Sequence, residues 1–386
     1  MFTKQADKIR VAVLYGGCSV EHEVSLQSAA NVIQYLDQNR FDIVPIGIDK
    51  KGNWFLGQDV FKKSLENNKV MQLPEINATW FTPEWIGKTA LQSLPAETLP
   101  ATPSTSSSTQ QFDVVFPVVH GTSCEDGTLQ GLLELAGIPY VGCGVLSSAI
   151  GMDKDISKRL AINAGIKVAP YLVIKHGQWL HHPSHFIETV SKDLAYPVFV
   201  KPANTGSSVG ITKVKSRADL TAAIDIAFQF DTKVLVEKAL SVMELEVAVL
   251  ESLETNDDPI VSVVGEIVPK HEFYSYDAKY VDEHGAELHI PAPLLDAVTR
   301  QAQETAKKLF HILECEGMAR VDLFFDKDNK EIVFNEINTI PGFTQISMYP
   351  KLMCASGMSY SDLLTHLVQL AIKRHKNKSK LLRNYG

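Results

Sequence analysis

Two short stretches in the last fifth of the chain carry the side chains best suited to hold a divalent cation. In Ala319-Arg320-Val321-Asp322-Leu323-Phe324-Phe325 a charged pair at i and i+2 shares one face of an otherwise apolar strand. Ile332-Val333-Phe334-Asn335-Glu336-Ile337-Asn338 repeats the pattern. It predicts Glu336 and Asn338 on one face of a strand that returns across the polar hairpin Asp326 to Lys330. Converging Asp, Glu and Asn oxygens suit magnesium, a hard ion that prefers oxygen and completes its shell with phosphate. The plainer alternative is a half-exposed hairpin whose carboxylates face water. Four polar side chains interrupting two apolar strands on one face weigh against it.

Three further segments have the residue types of a nucleotide or amino-acid site. Lys201-Pro202-Ala203-Asn204-Thr205-Gly206-Ser207-Ser208-Val209-Gly210 places a lysine at a strand end, before a loop of small residues. Backbone N–H groups of such a loop can approach a polyphosphate, although a Gly-Ser hairpin turn explains the composition equally well. It is not a Walker A loop. Glu237-Lys238-Ala239-Leu240 ends the next strand and could seat an adenine edge. Gly16-Gly17-Cys18-Ser19-Val20-Glu21-His22-Glu23 is a glycine turn between a strand and a helix, without the spacing of a dinucleotide fingerprint. Glu23 near the helix start could serve the helix dipole alone, or also hold an ammonium in a crevice. The aromatic-rich stretch His271 to Gly285 has no period and reads as a long loop of the kind that closes over sites.

The elements that must position these groups are legible as α/β. Apolar runs at Ile9–Tyr15, Phe41–Ile48 and Phe112–Val119 read as buried parallel strands, with helices expected over Ser19–Leu36 and Gly127–Leu135. A single helix is expected over Ser148–Ala164. Strands follow at Tyr196–Lys201, Ile211–Val214 and Lys233–Glu237, with a helix around Asp219–Phe230. The C-terminal third predicts strands Leu245–Leu250, Ile260–Ile267, Ala319–Phe325 and Glu331–Asn335, and helices Leu295–Leu313 and Tyr360–Lys373. Pro95 to Gln111, with TPSTSSSTQQ, has almost nothing to bury and reads as a mobile surface insertion.

A chain of 386 residues accommodates two or three domains. Its 45% hydrophobic and 21% charged content is that of an ordinary globular protein. A formal charge of −8 argues against a nucleic-acid-binding role. No apolar run is long enough to span a bilayer, and the opening MFTKQADKIRVAVLYGG reads as a first strand rather than a signal peptide, which leads to the expectation of a cytoplasmic protein. The odd set of cysteines at 18, 124, 143, 315 and 354 contains no C-x-x-C pair, so neither a disulfide framework nor a zinc site is expected. Cys124 alone lies in a polar, glycine-rich stretch, but no base accompanies it and it reads as a small apolar residue.

In this order the segments resemble the ATP-grasp superfamily, and more narrowly the D-alanine–D-alanine ligases. The resemblance runs through LYGGCSVEHEVSLQSA, HGTSCEDGTLQGLLELAGIPYVG, MDKDISKRLAINAGI, VFVKPANTGSSVGI, YDAKY, GMARVDLFF and FNEINTIPGFTQISMYP. It implies a three-domain architecture: a Rossmann-like N-terminal substrate domain (1–145), a small central domain (146–240) and a C-terminal domain with metal site and lid (241–386). ATP would lie between the last two. It implies that two D-alanines are joined through an acyl phosphate for peptidoglycan synthesis, with D-lactate- or D-serine-accepting ligases as the variant reading.

By the same resemblance Asp322, Glu336 and Asn338 hold two Mg2+ or Mn2+ ions, and Lys154 and Lys201 contact phosphates. Glu237, Lys238, Leu240 and Glu244 match the adenine and ribose contacts, and Ser207 and Ser208 lie in the phosphate loop. Phe273, Asn335 and Lys279 join the ATP contacts. Glu23 matches the holder of the first ammonium, with His120 behind that substrate. Arg320 and the Gly342 backbone match oxyanion stabilisers, and Ser347 with Met348 borders the second substrate. Tyr280, Ser207 and Glu23 match a hydrogen-bonded triad that shuts the lid. The implied partners are ATP, D-alanine and a second copy of the chain, with no membrane or nucleic acid. The sequence departs from the family pattern at Thr122-Ser123-Cys124 and at Met348, where leucine is usual.

Overall fold

The computed structural model describes residues 8–56, 80–83, 90–94, 109–254, 258–270 and 286–382. The first sheet has the order β3-β2-β1-β7, from β1 (Ile9–Gly16), β2 (Phe41–Ile48), β3 (Trp54–Leu56) and β7 (Val114–Pro117). β2 and β7 pair with β1 in parallel. Val11 to Tyr15 are buried without interruption, as expected for a strand covered on both faces. The helix His22–Tyr35 packs against β1 and buries Val24, Leu26, Ala29, Val32 and Ile33. A small antiparallel sheet joins β4 (Trp80–Pro83), β5 (Ala90–Leu94) and β6 (Thr109–Gln111). The expectation of an insertion over 95–111 therefore fails for its last three residues, which pair as a strand; residues 95–108 lie outside the described residues.

The helix expected over Ser148–Ala164 is two helices, Val145–Met152 and Lys154–Asn163. Asp153 between them is extended, and its carboxylate accepts from the N–H groups of Asp155 and Ile156, each at 3.1 Å. An Asp that can cap a new helix competes with continuation of the old one. The break turns the second helix so that Lys154 N–H donates to Ala203 O at 3.0 Å.

The second sheet, β10-β9-β11-β8, comprises β8 (Tyr171–Lys175), β9 (Val198–Pro202), β10 (Thr212–Val214) and β11 (Lys233–Lys238), all antiparallel. Its period-2 alternation buries Val198, Val200, Val234 and Val236 against the helix Leu220–Ala227. The alternate residues Phe199, Lys201 and Glu237 therefore share the opposite face.

The third sheet, β14-β13-β12-β15-β16, comprises β12 (Val242–Leu250), β13 (Ile260–Pro269), β14 (Ala286–His289), β15 (Met318–Asp326) and β16 (Glu331–Asn338). One face packs Leu245, Val247, Val249, Ala319, Val321 and Leu323 in a core with Ala302, Ala306 and Leu309 of the helix Asp296–Ile312. The other face shares a core with β1, β7 and the helices Met348–Ala355 and Tyr360–Lys378. The first and third sheets are thus joined by one apolar core, while the second has its own. The last helix also reaches the first sheet's side of the molecule through Arg374, stacked 4.6 Å from the Tyr140 ring centre and donating to Gly142 O at 2.6 Å.

Candidate active site

β15 and β16 set the polar face. Register places Arg320 opposite Asn338 and Asp322 opposite Glu336, so the four side chains lie on one surface. A bulge after this pair lets Leu323 oppose Phe334 and leaves Asn335 over, which turns both Asn335 and Glu336 toward the nucleotide-sized cleft. Arg320 forks onto Asp322 with two bonds of 2.7 Å, and its Nε is 3.0 Å from Glu246 on β12. Lys154 Nζ is 3.2 Å from Glu336. Asn338 Oδ1 is buried and accepts no hydrogen bond from the described residues. A buried amide oxygen left over beside two carboxylates is the donor set a hard cation takes. Among the described residues no three His, Cys, Asp or Glu side chains cluster closely enough to hold an ion, so Asn338 and oxygens from outside the protein are needed to complete a shell.

Two cavities meet over this face. The larger, about 690 Å³, opens between the second and third sheets and falls within the roughly 300–1,000 Å³ range of small-molecule sites. Lys154, Lys201, Ser208, Glu237, Lys238, Leu240 and Glu244 line it, together with Asn335 and Glu336. Lys201 Nζ donates to Glu237 at 2.8 Å and lies 3.4 Å from Asn335 Oδ1. Burial alone would raise the Glu237 pKa, but Lys158 and Lys201 outweigh it and hold the carboxyl at about 2. In the loop, Ser207 and Ser208 both adopt left-handed backbone, with φ of 49° and 60°. Two consecutive non-glycine residues in that region are strained, a feature concentrated where backbone meets ligand.

The smaller cavity, about 250 Å³, is lined by His120, Arg320, Asp322, Asn338, Gly342, Ser347 and Met348, and it shares Glu244, Asn335 and Glu336 with the larger one. Ser347 Oγ accepts from Thr344 N–H at 2.9 Å. His120 is fully enclosed, with Nδ1 3.0 Å from Ile340 O; burial first, and then the Arg320 charge, push its pKa down to about 4, so the ring is neutral.

Glu23 does not enter either cavity. Its carboxylate is half exposed and pairs with Lys50 at 2.5 Å. Glu21 instead lines the smaller cavity, is buried, and accepts the Ser207 hydroxyl hydrogen bond. The helix begins at His22, so Glu21 precedes it and turns inward while Glu23, on the first turn, points out. Glycine backbones from two loops make room for the Glu21 carboxylate. A Cβ would come within 2.7 Å of it at Gly121 (φ +80°) and 3.0 Å at Gly206.

Family models describe two halves of such a protein: "D-ala D-ala ligase N-terminus" matches residues 10–143 and "D-ala D-ala ligase C-terminus" matches residues 160–369. The chain belongs to the D-alanine–D-alanine ligase family. Its multi-sheet α/β architecture is accordingly that of the ATP-grasp enzymes, and membership implies use of ATP. A D-alanine–D-alanine ligase A of Bradyrhizobium diazoefficiens is 48% identical over 385 residues, covering 99% of this chain and all of the relative. The solved D-alanine–D-alanine ligase of Coxiella burnetii superposes with a TM-score of 0.77 at 36% identity, covering 98% of each chain. The VanG D-Ala:D-Ser ligase of Enterococcus faecalis superposes with a TM-score of 0.79 at 37% identity, covering 95% of this chain and 100% of the other.

Within this family member, Phe273, Lys279 and Tyr280 lie outside the described residues, as does the whole of the loop expected to close the site. Cys124 is buried, and burial with the neighbouring Glu125 and Asp126 pushes its thiol up to about 12, the opposite of a nucleophile. All five cysteines are free of disulfides. Sequence reasoning passed over Glu21, Lys158 and Glu246. For Glu246 a signal existed: it stands at i+2 from Glu244, the same pattern as Arg320 and Asp322 on the neighbouring strand.

Proposed function

We propose that the protein joins two D-alanine molecules at the expense of ATP. The observation that carries this reading is the shared wall of the two cavities: Glu244, Asn335 and Glu336 border both. A carboxylate in the smaller space can thus meet a γ-phosphate delivered from the larger. In the first step a carboxylate oxygen of the first D-alanine attacks the γ-phosphorus and ADP leaves. In the second, the amine of the second D-alanine attacks the acyl carbon and phosphate leaves, the amine proton passing to phosphate or solvent.

Each residue has a task in that scheme. Glu21 faces the first ammonium, a role that passes to it from Glu23. Lys154 and Lys201 present ammonium groups to the phosphates. Arg320 and the Gly342 N–H stabilise the oxyanion of the tetrahedral intermediate. Ser347 receives the second carboxylate, and Met348 packs beside it. Lys238, Leu240 and Glu244 border the adenosine, and Ser208 lies at the phosphates. Asp322, Glu336 and Asn338 would hold Mg2+ or Mn2+, which when bound neutralises charge on the phosphates. Asp322 is paired with Arg320 and would have to give up that partner to hold an ion, while the ion pair with Glu246 would keep Arg320 in place. Tyr280 would latch the closing loop to Ser207 and Glu21. The domain limits 1–145, 146–240 and 241–386, a homodimeric state and a cytoplasmic location belong to the same reading. Among the described residues no helix is long and apolar enough to cross a membrane.

The test is one incubation of the purified protein with ATP, magnesium and D-alanine, scored for D-alanyl-D-alanine and inorganic phosphate, with parallel incubations adding D-serine or D-lactate. Equal amounts of dipeptide and phosphate, with D-alanine preferred as acceptor, are expected. Preference for D-serine or D-lactate would move the assignment to a variant ligase, and ATP turnover without any product bond would overturn it.

A further inference from the structure

Lys158 has no part in the scheme above, yet it is among the most deeply buried charged side chains of the described residues, 1% exposed. It stands one helical turn after Lys154 on the helix Lys154–Asn163. Its Nζ is 2.9 Å from Glu237 Oε2 and 3.5 Å from Phe334 O. The other Glu237 oxygen accepts from Lys201 at 2.8 Å. One buried carboxylate is therefore held between two lysines, of which only Lys201 lines the larger cavity.

Removing an ammonium from water is costly, and a Lys201–Glu237 pair would already be neutral without Lys158. Such a closed pair would serve a polyphosphate badly, because the charge of Lys201 would be spent on Glu237. Two ammoniums against one carboxylate leave one positive charge in surplus. Since Lys158 is buried between Glu237 and Phe334 and lines neither cavity, that surplus is presented through Lys201. We propose that Lys158 is a positioning residue for the nucleotide: it occupies Glu237 from behind, so that Lys201 is both pinned by that carboxylate and left with uncompensated charge toward the triphosphate. In a buried cluster such a charge acts through little screening. The inference rests on the reading of the larger cavity as the ATP site.

Dissociation constants for ATP and for adenosine, measured by titration calorimetry on the full chain with magnesium present, separate the phosphate contribution from the rest. Lys158→Met keeps the apolar stem and removes the charge. It is expected to narrow the ATP-over-adenosine preference by about tenfold or more, the scale of one charge-assisted contact. Lys158→Met combined with Glu237→Gln removes the carboxylate that would otherwise absorb the Lys201 charge. It should recover most of the lost preference, whatever it does to adenosine itself. Lys158→Arg retains the charge and should keep the preference, which provides a reading should the methionine variant fold poorly. A lowered melting temperature with an unchanged ATP-over-adenosine ratio in Lys158→Met would reduce Lys158 to a structural residue and overturn the proposal. A parent protein that binds ATP no better than adenosine would instead overturn the ATP reading of the cavity.

Discussion

The Ser207 hydroxyl donates to the carboxylate of Glu21, closing a bond between residues 186 positions apart and tying the strained loop of the second sheet to the turn before the first helix. The bond puts an element of the nucleotide cleft and an element of the amino-acid pocket in one hydrogen-bonded unit. A carboxylate held there can meet an ammonium without further rearrangement, which is how preorganised sites gain orientation.

That relationship separates two glutamates that stand two positions apart. Glu21→Gln should raise KM for the first D-alanine by about 10- to 100-fold, the loss of a buried charge-assisted contact. Glu23→Gln breaks only a half-exposed pair with Lys50 and should change KM by about threefold at most. ATP affinity should hardly move in either variant. Steady-state kinetics with D-alanine varied at saturating ATP decides it: equal effects of the two substitutions, or a larger one at Glu23, would return the ammonium site to Glu23.

The sequence made these two residues hard to tell apart for a geometric reason. Glu21 stands just before the helix and Glu23 on its first turn, so the two carboxylates point apart and only one faces the crevice. Which one depends on where the helix starts. The signal was the outward stripe: Glu23 lies in helical register with Gln27 and Gln34, both exposed, while Val24, Ser28 and Asn31 are turned inward. The strands of the first and third sheets were legible because their apolar runs are long and their polar interruptions fall at i and i+2. The edge strand Tyr171–Lys175 was missed because an apolar run of three residues between a proline and a His-Gly pair carries no clear period. The helix break at Asp153 was hidden because apolar spacing persists through it, and only the capping carboxylate marks the restart. Lys158 could not be read at all: a lysine on an amphipathic helix is ordinarily a solvated side chain, and its burial follows from a strand distant in sequence.

The cation reading makes a second prediction. Asp322→Asn and Glu336→Gln each remove a charge from the face where the buried Asn338 oxygen accepts no hydrogen bond from the described residues. Metal stabilisation of phosphoryl transfer is worth several kcal/mol, so turnover should fall by about a hundredfold or more. The fold should survive, since Asp322 and Glu336 line the cavities rather than the apolar core. Turnover across a magnesium titration, with circular dichroism for integrity, is the measurement. A variant with near-parent turnover at ordinary magnesium would remove that residue from the metal site.

His120 sets an acid limit on stability. Its pKa is near 4 in the folded protein and about 6.5 when unfolded, so between these values the unfolded chain binds the extra proton. Stability therefore rises with pH through this window and is lost as pH falls from about 6.5 toward 4. Through this one fully buried group about 2 kcal/mol of stability is lost between pH 7 and pH 5; Glu125, which burial raises well above the usual carboxylate range, works in the opposite direction, so the His120 share is read from the difference between parent and variant. Glu237, depressed to about 2, loses its contribution only below its unfolded pKa near 4.5 and so barely interferes above pH 5. Urea midpoints at the two pH values, for the parent and for His120→Gln, test the assignment. The variant should lose less than the parent on acidification, and an identical loss would mean that some other group sets the limit.

Gly342 is the last point at which the geometry commits to an outcome. A Cβ there would lie 2.8 Å from Ser347 Oγ, the group assigned to the second carboxylate. Ser347 cannot yield without cost, because its oxygen also accepts from Thr344 N–H at 2.9 Å and sits 2.8 Å from the Thr344 hydroxyl. Gly342→Ala should therefore displace Ser347 and raise KM for the second D-alanine by about tenfold or more, the scale of one lost contact to a charged group. The same substitution should leave ATP affinity close to the parent's. Gly131→Ala is the matched control: the residue is inside the helix Thr128–Ala136 and a Cβ there meets nothing within 4 Å. It should leave both D-alanine constants unchanged and raise stability by up to about 1 kcal/mol through helix propensity. Initial rates over a wide range of D-alanine resolve the weaker second binding event from the first. A Gly342→Ala variant whose second constant matches that of Gly131→Ala would show that Ser347 does not receive the second carboxylate.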